Sequence, residues 1–465
     1  MIIRQNPKSH ESGEAFPRLG RAFLKLVLEI QSLGHRAVGI GRHKGKVVMV
    51  PFSAPGDKLE VEIVSSHKSY DEARILRVLE PSSQRRDPPC SYFGSCGGCQ
   101  LQHLEIGFQR LNKERLLRGM LRRQAGLDED RVLPIQAGSM ELGYRSRLDL
   151  QLLPGNPPRL GFASWGSSRL LPVRRCLLAM ETLNQFLEEL SELLAACSRS
   201  NIRRVELACD SPGPGKTLLL SASAPLPRQT STAMAEAAGR IQGLRSICLG
   251  RGRGGRIETL WKAPQLSLGV LIPFSGEGKQ GLSLEAWPGV FSQVNPQVNQ
   301  ILVQVLTSWV GDLRPRRVLD LYAGMGNLSL ALAGLVEHVT AVEVDHRAVA
   351  NGIANSLSLG IHNVTWIRAE ASRELYRMLS SGQKFDLVLL DPPRSGAKEL
   401  LEPLLTLKPR AILYVSCDPA TLARDLSHLN SNGGYTPERI QPLDMFPQTF
   451  HLESISLLLA QGSRA

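Results

Sequence analysis

The chain has 465 residues, of which 42% are hydrophobic and 21% charged, with 55 Lys and Arg against 43 Asp and Glu for a formal net charge of +12. That length exceeds one ordinary core and predicts about two to four domains of a soluble globular protein. The positive excess points to a polyanionic partner, while an aromatic content of 5% excludes a base-stacking surface built from many rings. No apolar run reaches the roughly 18 residues needed to span a bilayer.

Residues 1–22 form a polar extension, and its opening MIIRQNPKSHESGE lacks the apolar stretch of a signal peptide. The protein is therefore expected to be cytoplasmic. Across 23–82 the alternating runs LVLEI, GKVVMV, KLEVEIV and EARILRVL are separated by Gly, Pro and Asp turn signals, which predicts a small antiparallel barrel. Within it, Arg36 to Lys46 carries four cations and no acid. Arg85 to Pro89 reads as a polar linker.

Residues 83–280 open on a cysteine cluster. Cys90-x5-Cys96-x2-Cys99 has metal-ligand spacing, and Gly94, Gly97 and Gly98 permit the tight backbone such a site requires. A fourth ligand is missing locally, and spacing alone leaves zinc and iron–sulfur both open. Eight cysteines without an export signal are read as ligands, nucleophiles or core residues rather than disulfides. Cys197, Cys209 and Cys248 are read as small core residues. From Phe108 to Arg123 the cations Arg110, Lys113, Arg115, Arg118, Arg122 and Arg123 face one acid, Glu114. Phe108, Leu111, Leu117, Met120 and Leu121 recur there at helical spacing, predicting an amphipathic basic helix. With Arg251, Arg253 and Arg256 in a glycine-rich loop, these clusters favour nucleic acid over a merely solvated surface. The remainder, with strands near 145–153 and 216–221 and a helix near 181–196, predicts an α+β domain.

Residues 281–465 change pattern. RVLDLYA, HVTAVEVD, FDLVLLDPP and AILYVSC alternate with helical segments, which predicts a Rossmann-like parallel sheet covered by helices on both faces. Asp320 to Asn327 is a strand end followed by a Gly-x-Gly turn that opens a helix, and Glu343, at the end of the next strand, lies 19 residues after Gly324. Such a carboxylate can hold two ribose hydroxyls. Ser329 stands where the dinucleotide fingerprint has its third glycine, and an acid, Asp320, precedes the loop. A cationic or zwitterionic ligand suits this better than a pyrophosphate; S-adenosylmethionine fits and NAD does not.

Cys417 ends the run AILYVSC at the carboxyl edge of a strand, where ligands bind in open α/β sheets, and the Asp-Pro-Ala-Thr turn after it lifts the side chain toward the cleft. Uracil C5 is a poor nucleophile until a thiolate adds at C6, so its methylation needs a cysteine, a base and a methyl donor in one pocket. Asp391-Pro392-Pro393-Arg394 ends the preceding strand. Arg394 in place of an aromatic speaks against methylation of exocyclic amines, and no second cysteine follows Pro393 as in cytosine-5 methylases.

In Cys90 to His103, Phe291 to Asn295, the loop at Asp320 to Asn327, Asp391-Pro392-Pro393, Ser416 to Asp425 and His451-Leu452-Glu453, the chain resembles the S-adenosylmethionine-dependent RNA uracil-5-methyltransferase family from about residue 24 onward. The resemblance implies that Cys417 is the nucleophile and Glu453 the base that takes the C5 proton. It implies a donor site lined by Gln293, Tyr322, Glu343 and Asp391, with Asn327 a weaker candidate. The barrel resembles the five-stranded, OB-like TRAM module, which binds RNA. Cys176 is implied as the fourth ligand of a 4Fe-4S cluster, carried by the branch acting on 23S ribosomal RNA. Arg145 and Arg147, in GYRSR, resemble a family segment and are read as RNA contacts or strand-surface cations. The enzyme is expected to be a monomer without a membrane partner. Its rivals are a transfer RNA uracil methylase and a non-catalytic RNA-binding iron–sulfur protein; intact Cys417, Glu453 and donor motifs count against the latter.

Overall fold

The computed structural model describes residues 24–195, 201–251, 256–274, 282–431 and 434–462. The polar extension 1–22, Cys197 and Arg253 lie outside them. The chain divides into two compact units, the first comprising 1–94, 98–109 and 448–450, the second 95–97, 110–447 and 451–465.

In the first unit β1 (Lys25–Leu33), β2 (Gly39–His43), β3 (Lys46–Val50), β4 (Lys58–Ser66) and β5 (Tyr70–Glu80) close into a barrel in the order β1-β2-β3-β5-β4. Ladders are antiparallel except β3 with β5. Alternation along the strands turns Leu28, Ile30, Val48, Val50, Leu59, Val61 and Ala73 inward, so the five-stranded barrel expected from the sequence is present. Of the four cations between Arg36 and Lys46, Arg36, Arg42 and Lys44 are exposed, and Lys46 is paired with Asp71 at 2.6 Å. Arg85 is not a free linker residue. Its guanidinium grips the fully buried Asp57 through both oxygens at 2.7 Å, while Asp57 also accepts from the amides of Ala54 and Ser82. The segment is thereby bolted to the barrel.

Helix α1 (Ile106–Ala125) enters the second unit at Arg110. Its cations do not all face solvent, as a basic RNA-binding face requires. Lys113 is 3% exposed, Arg110 and Lys113 turn to Asp444, and Arg118 pairs with Glu114; only Arg115, Arg122 and Arg123 are exposed. Leu111, expected on the apolar face, is itself exposed.

The central sheet is built from β6 (Arg147–Leu153), β7 (Arg159–Ala163), β8 (Leu170–Pro172), β9 (Ile202–Cys209), β10 (Lys216–Ala222), β11 (Leu244–Arg251) and β12 (Ile257–Lys262), in the order β12-β11-β10-β9-β6-β7-β8. Only β10 and β11 run parallel. With α2 (Glu181–Glu189), α3 (Ser191–Ala195) and α4 (Arg228–Ala238) it forms the expected α+β region. Cys209 and Cys248 are fully buried in it. The hairpin β13 (Val270–Pro273) and β14 (Ser283–Ala286) follows.

The last part alternates α5 (Pro296–Leu313), β15 (Arg317–Leu321), α6 (Ser329–Leu332), β16 (His338–Glu343), α7 (His346–Ser358), β17 (Val364–Arg368), α8 (Ala371–Ser380), β18 (Leu387–Leu390), α9 (Leu401–Leu407), β19 (Ala411–Ser416), α10 (Pro419–Ser431), β20 (Tyr435–Leu443) and β21 (Glu453–Ala460). Strand order is β17-β16-β15-β18-β19-β21-β20. The first five strands are parallel; the apolar runs of β16, β15, β18 and β19 are buried by separate clusters of core side chains, and the edge strand β17 only in part. The sheet departs from the expected parallel pattern at its end: β21 runs antiparallel to both β19 and β20. The reason is the connection 444–452, which carries no helix to make a crossover.

Candidate active site

Four parallel strand ends and one antiparallel return place chemistry at one sheet edge. Parallel β15, β16, β18 and β19 deliver Asp320, Glu343, Asp391 and Cys417 at or just beyond their carboxyl ends. Strand β21 comes back the other way, so its first residue, Glu453, lies at that same edge. The register makes this explicit, because Ser416 is opposite Ser454, each adjacent in sequence to one of the two residues.

The glycine turn after β15 is shaped by its backbone. Gly324 has φ +57° and Gly326 φ +93°; a Cβ on Gly326 would come within 2.9 Å of Leu330 and Trp366, whereas one on Gly324 would meet nothing within 4 Å. Open space in front of Gly324 is what a closely approached ligand needs. Tyr322, not a glycine, also adopts a left-handed φ of 69°, a strained state for an aromatic residue and a frequent mark of functional loops. Glu343 accepts from the Gly324 amide at 3.0 Å and from the Asp345 amide at 2.8 Å, tying the end of β16 to the turn.

Asp320 is buried beneath this turn, and Ser329 donates its hydroxyl to one oxygen. The other oxygen has no hydrogen-bond partner among the described residues, nor has the Tyr322 hydroxyl. Burial, reinforced by Asp391 and Glu343 and opposed by the Ser329 hydroxyl, pushes the Asp320 carboxyl up to about 8. Asp391 is raised to about 7 by burial and then by Glu343. A cleft is lined here by Phe291, Gln293, Asp320, Tyr322, Asn327 and Asp391 among others. Of the expected donor-site residues, only Glu343 is not on its wall; it stands behind Gly324. Asn327 exchanges two amide hydrogen bonds with Asn299, at 2.8 and 2.9 Å, so its side chain holds the loop to α5.

Gln293 is held in place by a residue read from the sequence as an RNA contact or surface cation. Arg147 is 7% exposed, and its guanidinium donates to the Val290 carbonyl at 2.8 Å and the Ser292 hydroxyl at 3.0 Å. The neighbouring Ser146 amide donates to the Val294 carbonyl. Arg147 therefore acts from inside, fixing the segment on either side of Gln293. The reading failed because a lone Arg-x-Arg in a strand does not reveal which face is covered. Arg145 is half-buried and pairs through its backbone with Leu178 and Met180.

Cys417 follows β19 and precedes α10, whose first turn is capped by Asp418 accepting from Ala420 and Thr421. Burial and then the Glu453 carboxylate push its thiol up to about 12, against the pull of Arg394; Asp391 and Asp418 add to the rise. Glu453 is 3% exposed. Its carboxyl lies well above the ordinary carboxylate range, raised by burial and by Asp391 and lowered by Arg394. Thiol, two carboxyls and a guanidinium thus share one field. Arg394 reaches His451 at 3.4 Å. Asp425, fully buried on α10, accepts from Tyr414, Arg424 and the Ala397 amide, binding the loop after Asp391-Pro392-Pro393 to the helix after Cys417.

The four expected cluster ligands, Cys90, Cys96, Cys99 and Cys176, are half-buried and outside any disulfide. Asn184 accepts from the Cys176 amide and donates to its carbonyl. Among the described residues no group of three or more His, Cys, Asp or Glu side chains is gathered as a metal ion would require. No helix among them is long and apolar enough to cross a membrane.

A glycine-turn cleft at the carboxyl edge of a Rossmann-like sheet, joined to an N-terminal barrel, defines an S-adenosylmethionine-dependent RNA methyltransferase. The family model for tRNA (Uracil-5-)-methyltransferase matches residues 278–461, and that for the TRAM domain matches 26–76. The chain is 34% identical to 23S rRNA (uracil(1939)-C(5))-methyltransferase RlmD of Aeromonas hydrophila, over 93% of this chain and 96% of that one. The protein of the same name from Salmonella typhi is 35% identical over 93% and 95%. Among solved structures, Pyrococcus abyssi tRNA (uracil-54, C5)-methyltransferase in complex with S-adenosyl-L-homocysteine superposes with a TM-score of 0.72 at 25% identity, covering 93% of this chain and 99% of that one. The chain belongs to the RNA uracil-5-methyltransferase family.

Proposed function

We propose that the enzyme methylates C5 of a specific uridine in 23S ribosomal RNA through a covalent adduct between Cys417 and C6. The observation that carries this reading is the antiparallel return of β21, which sets Glu453 at the strand edge from which Cys417 emerges. Ribosomal RNA is favoured over transfer RNA because relatives named for 23S rRNA match nearly end to end at 34–35% identity, against 25% for the neighbour named for tRNA.

The residues of the cleft fit the methyl donor. Asp320 and Tyr322 present buried polar atoms without partners, and Gln293 and Asp391 line the same space; with Glu343 they would hold the donor. Bound S-adenosylmethionine supplies an electrophilic methyl on a sulfonium. Cys417, as its thiolate, adds through Sγ to C6 of a uridine taken out of its stack; C5 so made nucleophilic bonds to that methyl as the methyl's bond to the sulfonium sulfur breaks. Glu453, whose carboxyl has a raised affinity for protons, then takes the C5 proton. The electrons of the C5–H bond restore the C5–C6 double bond, and the thiolate leaves. The exposed Arg36, Arg42 and Lys44 of the barrel would track phosphates, making affinity fall with salt.

Cys90, Cys96, Cys99 and Cys176 are proposed as the thiolate set of a 4Fe-4S cluster. Support is the donor chemistry of four cysteines that lie outside any disulfide and the sequence resemblance; no step is routed through it. Iron and sulfide content of anaerobically purified protein tests this, with zinc as the contrary result. We read the enzyme as a cytoplasmic monomer.

The test of function is tritium release to water from 23S rRNA labelled at uracil C5, with transfer RNA in parallel. Release from ribosomal RNA is expected. Release from transfer RNA alone would move the substrate, and binding without release from either would leave a non-catalytic RNA-binding protein.

A further inference from the structure

The least expected charge outside the cleft is Lys113. It lies on α1 at 3% exposure, and its ammonium donates to Asp444 Oδ1 at 2.7 Å and to the Phe446 carbonyl at 3.0 Å. Asp444 is fully buried, and its second oxygen meets Arg110 Nε at 3.2 Å. Removing such charges from water is costly, and well-packed apolar residues commonly serve stability as well or better. Stability therefore does not account for the pair; what it holds does.

It holds the connection 444–452 between β20 and β21. Leu443, directly before Asp444, is the register partner of Glu453. Other side chains also grip this connection, among them Asn295, which donates to the Met445 carbonyl, and Tyr144, which donates to the Pro447 carbonyl, each at 3.1 Å. Phe446, whose carbonyl is the second acceptor of Lys113, sets its ring edge-on to His451, centroids 5.8 Å apart. His451 is two residues from Glu453.

We infer that Lys113, through Asp444, is a positioning residue for proton removal: it fixes the β20–β21 connection so that the Glu453 carboxyl stands where the C5 proton departs. The inference rests on the reading of Glu453 as the base. Addition of Cys417 and methyl transfer precede the step that depends on Glu453, so loosening the connection slows breakdown of the methylated adduct and leaves its formation nearly unchanged.

The test is a single turnover of the full-length protein with S-adenosylmethionine and 23S rRNA tritiated at uracil C5, following both gel-stable adduct and tritium release. Lys113→Met is expected to form adduct at close to the wild-type rate and to release tritium from it at least tenfold more slowly, with donor affinity unchanged. Asp444→Asn, isosteric and still an acceptor, is expected to shift the same partition less, and it decides the matter if Lys113→Met does not fold. A purely structural role would lower the active fraction while tritium left each adduct at the wild-type rate, and that result overturns the inference. Glu453→Gln run alongside separates the two readings. If it accumulates adduct and the other variants do not, only the role of Lys113 falls; if it accumulates none, the assignment of the base falls first.

Discussion

Ser329 donates its hydroxyl hydrogen to Asp320 at the position where a dinucleotide-binding turn carries its third glycine. The substitution is thus tied to the acid: the hydroxyl favours the ionised carboxylate, which a cationic ligand needs. Ser329→Ala should raise the Asp320 carboxyl further above about 8. At pH 7 affinity for S-adenosylmethionine should fall by about tenfold, the equivalent of one pKa unit, and the loss should shrink above pH 9. Calorimetry at the two pH values checks this.

With the donor held as proposed, Asp320 and Asp391 should make its binding pH-dependent. Both are raised above their ordinary 3.8, to about 8 and about 7, so the folded protein holds these protons more tightly than the unfolded chain. Stability of the unliganded protein should therefore fall as pH rises from about 4 through both values. A cationic donor favours the ionised forms, so binding should release protons, and the thermal stabilisation by S-adenosylmethionine should grow from pH 6 to 9. Proton release measured in two buffers of different ionisation enthalpy gives the sign directly.

The proposed nucleophile is dormant in the free protein. With the Cys417 thiol pushed up to about 12, thiolate at pH 7 is on the order of one part in 10⁵. Iodoacetamide should modify Cys417 far more slowly than an ordinary exposed cysteine. Where Glu453 is ionised, at high pH, it is the largest charge holding the thiol up, so there Glu453→Gln should speed that modification, whereas Arg394→Gln should slow it. Peptide mass spectrometry of the alkylated protein reads both.

Much of this was legible in the chain. Asp320, Gly324, Glu343, Asp391 and Cys417 each end or follow a strand-length apolar run, and parallel strands in one sheet must deliver such ends to one edge. Glu453 was legible only through family resemblance, because its place depends on an antiparallel reversal that no local periodicity announces. The cations of α1 were misread for a related reason: a charge run shows composition, and its partner Asp444 lies 331 residues beyond Lys113. Arg147 and Arg85 were hidden likewise, the first donating to a carbonyl and a hydroxyl some 145 residues on, the second to a buried carboxylate.

The bond between Arg85 and Asp57 carries its own consequence. Arg85→Met leaves a fully buried carboxylate without its guanidinium, a change that costs about 3 kcal/mol. Amide hydrogen exchange across β1 to β5 should accelerate correspondingly, by about a hundredfold where exchange requires the barrel to open.

The central claim is that Cys417 bonds to C6 while Glu453 removes the C5 proton. It is tested most directly by trapping Glu453→Gln on 23S rRNA with S-adenosylmethionine, digesting the complex, and sequencing the crosslinked peptide by mass spectrometry. The account predicts a methylated, saturated uridine attached to Cys417 in the peptide containing Ser416 and Asp418. Attachment at another residue, or full turnover without any adduct, would contradict it.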